Sequence, residues 1–274
     1  VTAPEEEKRT EFIELFFDLV FVFAFTQVTT LALEDTSAAG FARAALVFAL
    51  IWWAWSAYAW LTDAIDVENT PTRLFIFAAM LAAFFMALAV PNAFSDEARW
   101  FVLAYFVVRV LQIVLYIWGV RHDPVQRIAV GRLAPAFLIA PVIVVAGGFM
   151  DDPARTTLWV VSLVVDVAGT LFAARASNGQ FRVAASHFAE RYALIVIIAI
   201  GLAAEGLTED SVYALAVAVS FAGAAAAWWA YFDWVQIAAE HALARAEAAI
   251  RGPLARDVYT FFHYPIVLGI IFLA

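Results

Sequence analysis

Residues Phe12 to Leu33 read FIELFFDLVFVFAFTQVTTLAL. The stretch is long enough to cross a bilayer as a helix, which takes roughly 20 mostly apolar residues. It is too continuously apolar for the alternating pattern of a membrane β-strand. Its polar interruptions are few, and Glu14, Asp18 and Gln27 stand out among them.

Working outward, runs of the same kind recur at Phe41–Leu61, Pro71–Val90, Ala98–Val120, Arg132–Phe149, Thr156–Ala176, Glu190–Leu207, Ser211–Ile237 and Asp257–Ala274. The breaks between them carry helix punctuation: Glu34-Asp35-Thr36-Ser37, Pro91-Asn92, Asp151-Asp152-Pro153, Ser177-Asn178-Gly179 and Gly252-Pro253. The pattern predicts an all-α fold: a polytopic transmembrane bundle of about nine spanning helices, forming a single transmembrane domain over residues 1–274.

Composition points the same way. The chain is 65% hydrophobic and 15% charged, against about 25% charged in a soluble domain. Its mean hydropathy is +0.85. A soluble globule of this size cannot hide so much apolar surface, so the lipid bilayer is the expected partner. There is no cysteine, which excludes disulfides, thiolate chemistry and cysteine metal sites. The four histidines, His122, His187, His241 and His263, have no metal-ligand spacing, and no metal site or cofactor is expected. The net charge of −9 does not suggest nucleic acid as a partner. A homo-oligomer stays open. Val1–Thr10 lacks the basic region of a signal peptide, so the first apolar segment is expected to stay in the mature protein.

Counting basic residues on alternate sides of the predicted helices orients the chain. The side of the N-terminus holds Lys8, Arg9, Arg73, Arg121, Arg127, Arg132, Arg175, Arg182, Arg191, Arg245, Arg251 and Arg256. The other side holds Arg43, Arg99 and Arg155. The positive-inside rule therefore places the N-terminus in the cytoplasm. The eighth helix is expected to run past the membrane through Ala238–Arg251, rich in good helix formers, until Gly252-Pro253 stops it.

Trp52-Trp53-Ala54-Trp55 resembles Trp228-Trp229-Ala230-Tyr231, and the same offset lays Glu14 on Glu190. This suggests a parallel six-helix repeat of the kind some transporters use, with repeat one over about 12–176 and an incomplete repeat two over about 187–274. Nine helices out of two sets of six, and an apolar run at 270–274, suggest that about three C-terminal helices lie beyond the given sequence.

Ionisable groups inside a spanning helix are costly and tend to mark pairs or pathways. Arg109 and Asp166 both fall near mid-depth in their helices and invite an ion pair, with Tyr105, Gln112 and Tyr116 on the face of Arg109. Glu14 and Asp18 share a face of the first helix, so one of them should hold its proton or meet a cation. His187, Glu190 and Arg191 open the seventh helix at spacings that suit one face, and are expected to face Glu14 and Asp18. Asp233 sits among Trp228, Trp229 and Trp234, as in an interfacial aromatic belt. His263 precedes Pro265, whose ring should kink the helix or free a carbonyl near position 261, leaving the histidine either to titrate or to hydrogen-bond the freed backbone. For each group the plainer alternative is a structural one: helix glue, or a capped helix start.

Glu14-Leu15-Phe16-Phe17-Asp18-Leu19-Val20-Phe21-Val22 resembles the opening signature of the bacterial low temperature requirement protein A (LtrA) family. His187-Phe188-Ala189-Glu190-Arg191-Tyr192 resembles its central H-x-x-E-R motif, and His263-Tyr264-Pro265 its late H-x-P segment. The resemblance spans the chain and implies a multi-pass protein of the bacterial inner membrane. One departure is that Gly201 is followed by Leu202 where the family commonly has glutamate. The nearest acid is Glu205.

These readings favour a transporter or channel-like protein in which Arg109, Asp166, Glu14, Asp18, His187, Glu190, Arg191, Gln112 and His263 mark a polar route for an ion, a proton or a small solute. The alternative is a non-transporting scaffold or sensor linked to stress or cold growth. The chain carries no H-E-x-x-H, G-x-S-x-G or Gly-rich phosphate loop, so it is not expected to be an enzyme.

Overall fold

The computed structural model describes residues 10–176, 184–203 and 214–273. Helices follow one another along the chain: α1 (Phe12–Glu34), α2 (Ala38–Ala64), α3 (Thr70–Ala89), α4 (Ala98–Gly119), α5 (Pro124–Gly148), α6 (Ala154–Ala176), α7 (Ala185–Ala203) and α8 (Ala214–Ala230). A π-helical turn at Tyr231–Val235 joins α8 to α9 (Gln236–Arg245). Then come α10 (Ala248–Ala255), a π-helical stretch at Arg256–Phe262, and α11 (His263–Leu273). No strand occurs among the described residues, so the all-α class stands. Lys8, Arg9, Arg182, the Ser177-Asn178-Gly179 break, Glu205, Ser211 and Ala274 lie outside the described residues.

The helix starts follow local chemistry. Ser37 caps α2 by accepting the Gly40 N–H at 3.1 Å. Asn69 caps α3 by accepting the Thr72 N–H at 3.0 Å. Asp123 caps α5, accepting the N–H groups of Val125 and Gln126. Each cap satisfies donors that a helix N-terminus leaves open. The Asp123-Pro124 start explains why α5 begins before the expected Arg132. Asp suits the N-cap and Pro suits the first helical position, so the helix forms ahead of its apolar run. Pro135 and Pro141 lie inside α5 without ending it.

Two expectations about the later helices need correction. Gly252-Pro253 does not stop the eighth helix. The chain leaves the helix at Ala246 and Glu247, both extended, and Gly252 and Pro253 sit inside α10. The ninth helix does not start at Asp257: α10, the π-helical stretch and α11 are contiguous from Ala248 to Leu273.

Six helices, α1 to α6, are long and apolar enough to cross a membrane among the described residues. Large apolar side chains face outward, among them Leu81, Phe85, Trp100, Ile139, Val164 and Phe172. Burial rises toward the interior. The second helix, α2, is mostly buried, whereas little of α6 is. The chain is thus an integral membrane protein, with apolar side chains on its exterior where lipid is the solvent. The second helix is the hub, packed against α1, α4, α6, α7 and α11. On the far side α5 and α6 approach closely because Gly169 lies against Ala136, where an added Cβ would collide. Small residues commonly permit such contact in membrane helices.

Candidate functional site

One end of the bundle gathers the start of α1, the end of α2 and the start of α7. Residues four apart stack on one helix face, so α1 presents Glu14 and Asp18 together and α7 presents His187 and Arg191 together. The end of α2 adds Thr62 and Asp63. His187, Glu14, Asp18 and Arg191 are all buried to within 1% of full exclusion.

Their contacts form one network. The two ring nitrogens of His187 lie 2.9 Å from Glu14 Oε2 and 3.0 Å from Asp63 Oδ1. Arg191 grips Asp18 with two bonds, Nε to Oδ2 at 3.2 Å and Nη2 to Oδ1 at 2.5 Å. Its Nη1 donates to Thr62 Oγ1 at 2.5 Å and to Glu14 Oε1 at 3.4 Å. The Trp55 indole N–H donates to Asp18 Oδ1 at 2.7 Å. Thus the cation that Glu14 and Asp18 require is Arg191, and both acids of α1 face α7. Buried charges are retained when paired and hydrogen-bonded in this way.

Glu190 does not join them. It is exposed and accepts the Thr10 hydroxyl at 2.9 Å. With 3.6 residues per turn it lies roughly 80° from the line through His187 and Arg191. Once those two point inward, Glu190 must turn out.

Beneath the charges lies an aromatic and hydroxyl layer. The Tyr192 and Ser56 hydroxyls are 2.7 Å apart, and Ser56 Oγ is 3.0 Å from Thr260 Oγ1. Trp60 donates to Thr260 Oγ1 and Trp52 donates to the Thr260 carbonyl. His263 is buried at the edge of this layer, 5.3 Å from the Tyr192 ring. Its Nδ1–H donates to the Val258 carbonyl, and the Tyr231 hydroxyl lies 2.8 Å from its Nε2. That carbonyl belongs to the π-helical stretch.

Deeper in the bundle Arg109 Nη2 donates to Asp166 Oδ1 at 3.0 Å, and both side chains are wholly buried. The expected pair is real. Arg109 Cζ also sits 4.7 Å from the centre of the Phe137 ring, a cation–π distance. Much of the polar capacity here finds no hydrogen-bond partner among the described residues: Arg109 Nε and Nη1, both ends of the Gln112 amide, Asp166 Oδ2, the Tyr105 hydroxyl and the Thr170 hydroxyl. Buried polar atoms are seldom left so.

A cavity of about 70 Å³ is walled mainly by apolar surface, with Ser56, Thr170, Arg256 and Thr260 among its lining residues. Phe137, which lies against Arg109, shares this lining with Ser56, Trp60 and Thr260 of the hydroxyl layer. That volume exceeds the roughly 15 Å³ a single water requires. Among the described residues no group of histidines and carboxylates has the arrangement of a metal site.

Sequence reasoning misses Asp63, Thr62 and Trp55. Asp63 falls just past the predicted end of the second helix at Leu61, whereas α2 continues to Ala64. Asp233 is exposed beside exposed Trp228, Trp229 and Trp234, as an interfacial belt requires. The matched repeat positions stand in unlike surroundings: Trp52, Trp53 and Glu14 are buried, whereas Trp228, Trp229 and Glu190 are exposed.

Comparison with known proteins places the chain. The family described as bacterial low temperature requirement A protein (LtrA) matches residues 9–274. The chain is 32% identical over 286 residues to "Uncharacterized protein RA0937" of Rhizobium meliloti (strain 1021), covering 98% of this chain and 69% of that protein. No solved structure matches it significantly.

Proposed function

The chain belongs to the bacterial low temperature requirement A (LtrA) family, and on that footing we propose that it is a multi-pass inner-membrane protein that moves an ion, a proton or a small solute along a polar route through its bundle. The observation that carries this reading is two groups of buried charge in one bundle, Glu14, Asp18, Asp63, His187 and Arg191 at one end and Arg109 with Asp166 deeper. Ser56, Thr170 and Thr260 contribute hydroxyls to the mainly apolar cavity. Ionisable groups at membrane depth commonly mark such routes, and the unpartnered atoms of Arg109 and Gln112 leave polar capacity inside the bundle.

The same proposal keeps nine spanning helices, a cytoplasmic N-terminus and a parallel repeat. In that topology the network of Glu14, Asp63 and His187 lies at the cytoplasmic end and the Arg109–Asp166 pair lies deeper. Ion and proton flux into proteoliposomes tests it, with the wild type compared with Asp166→Asn. Flux in the wild type that the variant loses supports the route. No flux across a broad panel of ions and pH gradients overturns it and favours the second reading, a scaffold or sensor. That second reading draws on one observation: Arg109 and Asp166 are paired within the fold, as glue between α4 and α6 would be.

A further inference from the structure

His187 stands between two carboxylates, and both of its ring nitrogens are used. Nε2 lies 2.9 Å from Glu14 Oε2 and Nδ1 lies 3.0 Å from Asp63 Oδ1. A nitrogen and a carboxylate oxygen at such distances need a hydrogen between them, because otherwise two lone pairs face each other. Two contacts therefore need two hydrogens. A neutral imidazole carries one, and ionised carboxylates carry none.

We propose that Glu14, His187 and Asp63 form a proton-binding site that holds one exchangeable proton beyond those of a neutral histidine and two carboxylates. The proton resides on the ring, so that Nε2–H donates to Glu14 and Nδ1–H donates to Asp63. This deepens the transport reading above by naming the species bound at this end of the route, and it rests on that reading only for the proton's use, not for its presence.

The surroundings favour a cation here. The imidazole is fully buried between groups from three helices, and the side chains of the acids that flank it are buried with it. Among the described residues, the other charged groups nearby are engaged or turned away. Asp18 is held by Arg191, which also reaches Glu14. On α4, Tyr116 is the titratable group beside Asp63. Glu190 turns outward to Thr10, and Arg73 of α3, which packs on α1, is exposed. Of the elements packed on α7, α8 has no titratable residue. In the π-helical stretch Arg256 pairs with Asp257, and His263 of α11 is bonded to Val258 and Tyr231. Glu240 and His241 of α9 make no hydrogen bond or ion pair with the triad among the described residues.

The test is to count hydrogens. The full chain, labelled with ¹⁵N at histidine and held in lipid nanodiscs at neutral pH, is read for one-bond N–H correlations of the imidazole, and His187→Gln assigns the signals. The expected result is two ring N–H correlations for His187. Glu14→Gln removes one charge and keeps the shape, and reduces them to one. Should that variant lose its thermal unfolding transition, Asp63→Asn makes the same test on the other nitrogen. Glu190→Gln, one turn along and facing out, leaves both correlations in place. A single ring N–H in the wild type, with no infrared carbonyl band of a protonated carboxyl that Glu14→Gln or Asp63→Asn abolishes, overturns the proposal. Such a band in place of the second ring hydrogen upholds the shared proton and moves it to a carboxyl oxygen. Two ring hydrogens in a protein without flux overturn the route alone. Flux lost in Asp166→Asn, with only one hydrogen in the triad, overturns the proton site alone.

Discussion

Arg109 Nη2 and Asp166 Oδ1 meet 3.0 Å apart at a point where neither side chain reaches the surface. The pair ties α4 to α6 across ground where each charge alone would be very costly. Removing one partner should therefore do more harm than removing both. Asp166→Ala is expected to destabilise the protein by about 3–5 kcal/mol, and the double replacement Arg109→Met with Asp166→Leu to recover most of that loss. Denaturant titration in detergent micelles, arranged as a double-mutant cycle, checks this. Additive costs would show that the two charges are not coupled.

Arg191 is held by geometry as well as by charge. It donates two bonds to Asp18 and reaches Glu14 and Thr62 with its remaining nitrogen. Lysine keeps the charge but has no planar fork. Arg191→Lys is expected to cost about 2–4 kcal/mol, because carboxylates buried without full pairing are penalised. Thermal unfolding of the purified variant measures it, and a shift within error of the wild type would refute the bidentate grip.

The indole of Trp55 does a smaller job at the same carboxylate, donating at 2.7 Å to Asp18 Oδ1. Trp55→Phe keeps most of the aromatic packing against Tyr192 and removes the donor. The expected loss is about 1–3 kcal/mol, the range for leaving one buried acceptor short of a partner. In Arg191→Lys, where Asp18 has already lost its grip, the same replacement should cost more. Thermal unfolding of the single and double variants checks both expectations.

The α1–α2 turn offers a pH test at an exposed position. The Ser37 hydroxyl and then its backbone N–H hold the Asp35 carboxyl below the ordinary aspartate range, with Arg43 adding to the effect. A group whose folded pKa is depressed stabilises the fold above its unfolded value, and this contribution is lost as pH falls through the folded value. The window therefore lies below about pH 4, the ordinary aspartate range. Ser37→Ala should move the Asp35 titration midpoint part of the way back up, read from the carboxyl carbon by NMR. The remaining backbone N–H, 3.0 Å from Oδ1, should keep it from returning fully.

Much of this architecture is legible in the amino-acid sequence. Apolar runs and their punctuation locate the helices, and the spacing of Glu14 with Asp18 puts two acids on one face. Two charges at similar depth, Arg109 and Asp166, announce their own pairing, because neither is tolerated alone. Asp63 stays hidden, since an acid just past an apolar run reads as an ordinary helix end. Glu190 is not separable from its neighbours either. Spacings of three and four both suit one face, and only the partners across the interface decide which residues turn in. The late helices depart from expectation where π-helical stretches at Tyr231–Val235 and Arg256–Phe262 alter the register. Those stretches depend on packing and leave no compositional mark.

The His187 contacts span long separations in the chain, 173 residues to Glu14 and 124 to Asp63. At synthesis rates of about 5–20 residues per second, roughly 6–25 s pass between the making of Asp63 and the making of His187. Throughout that interval the acids of α1 and α2 exist without their partners. The charge network of this protein therefore closes late, only once the seventh helix has been made.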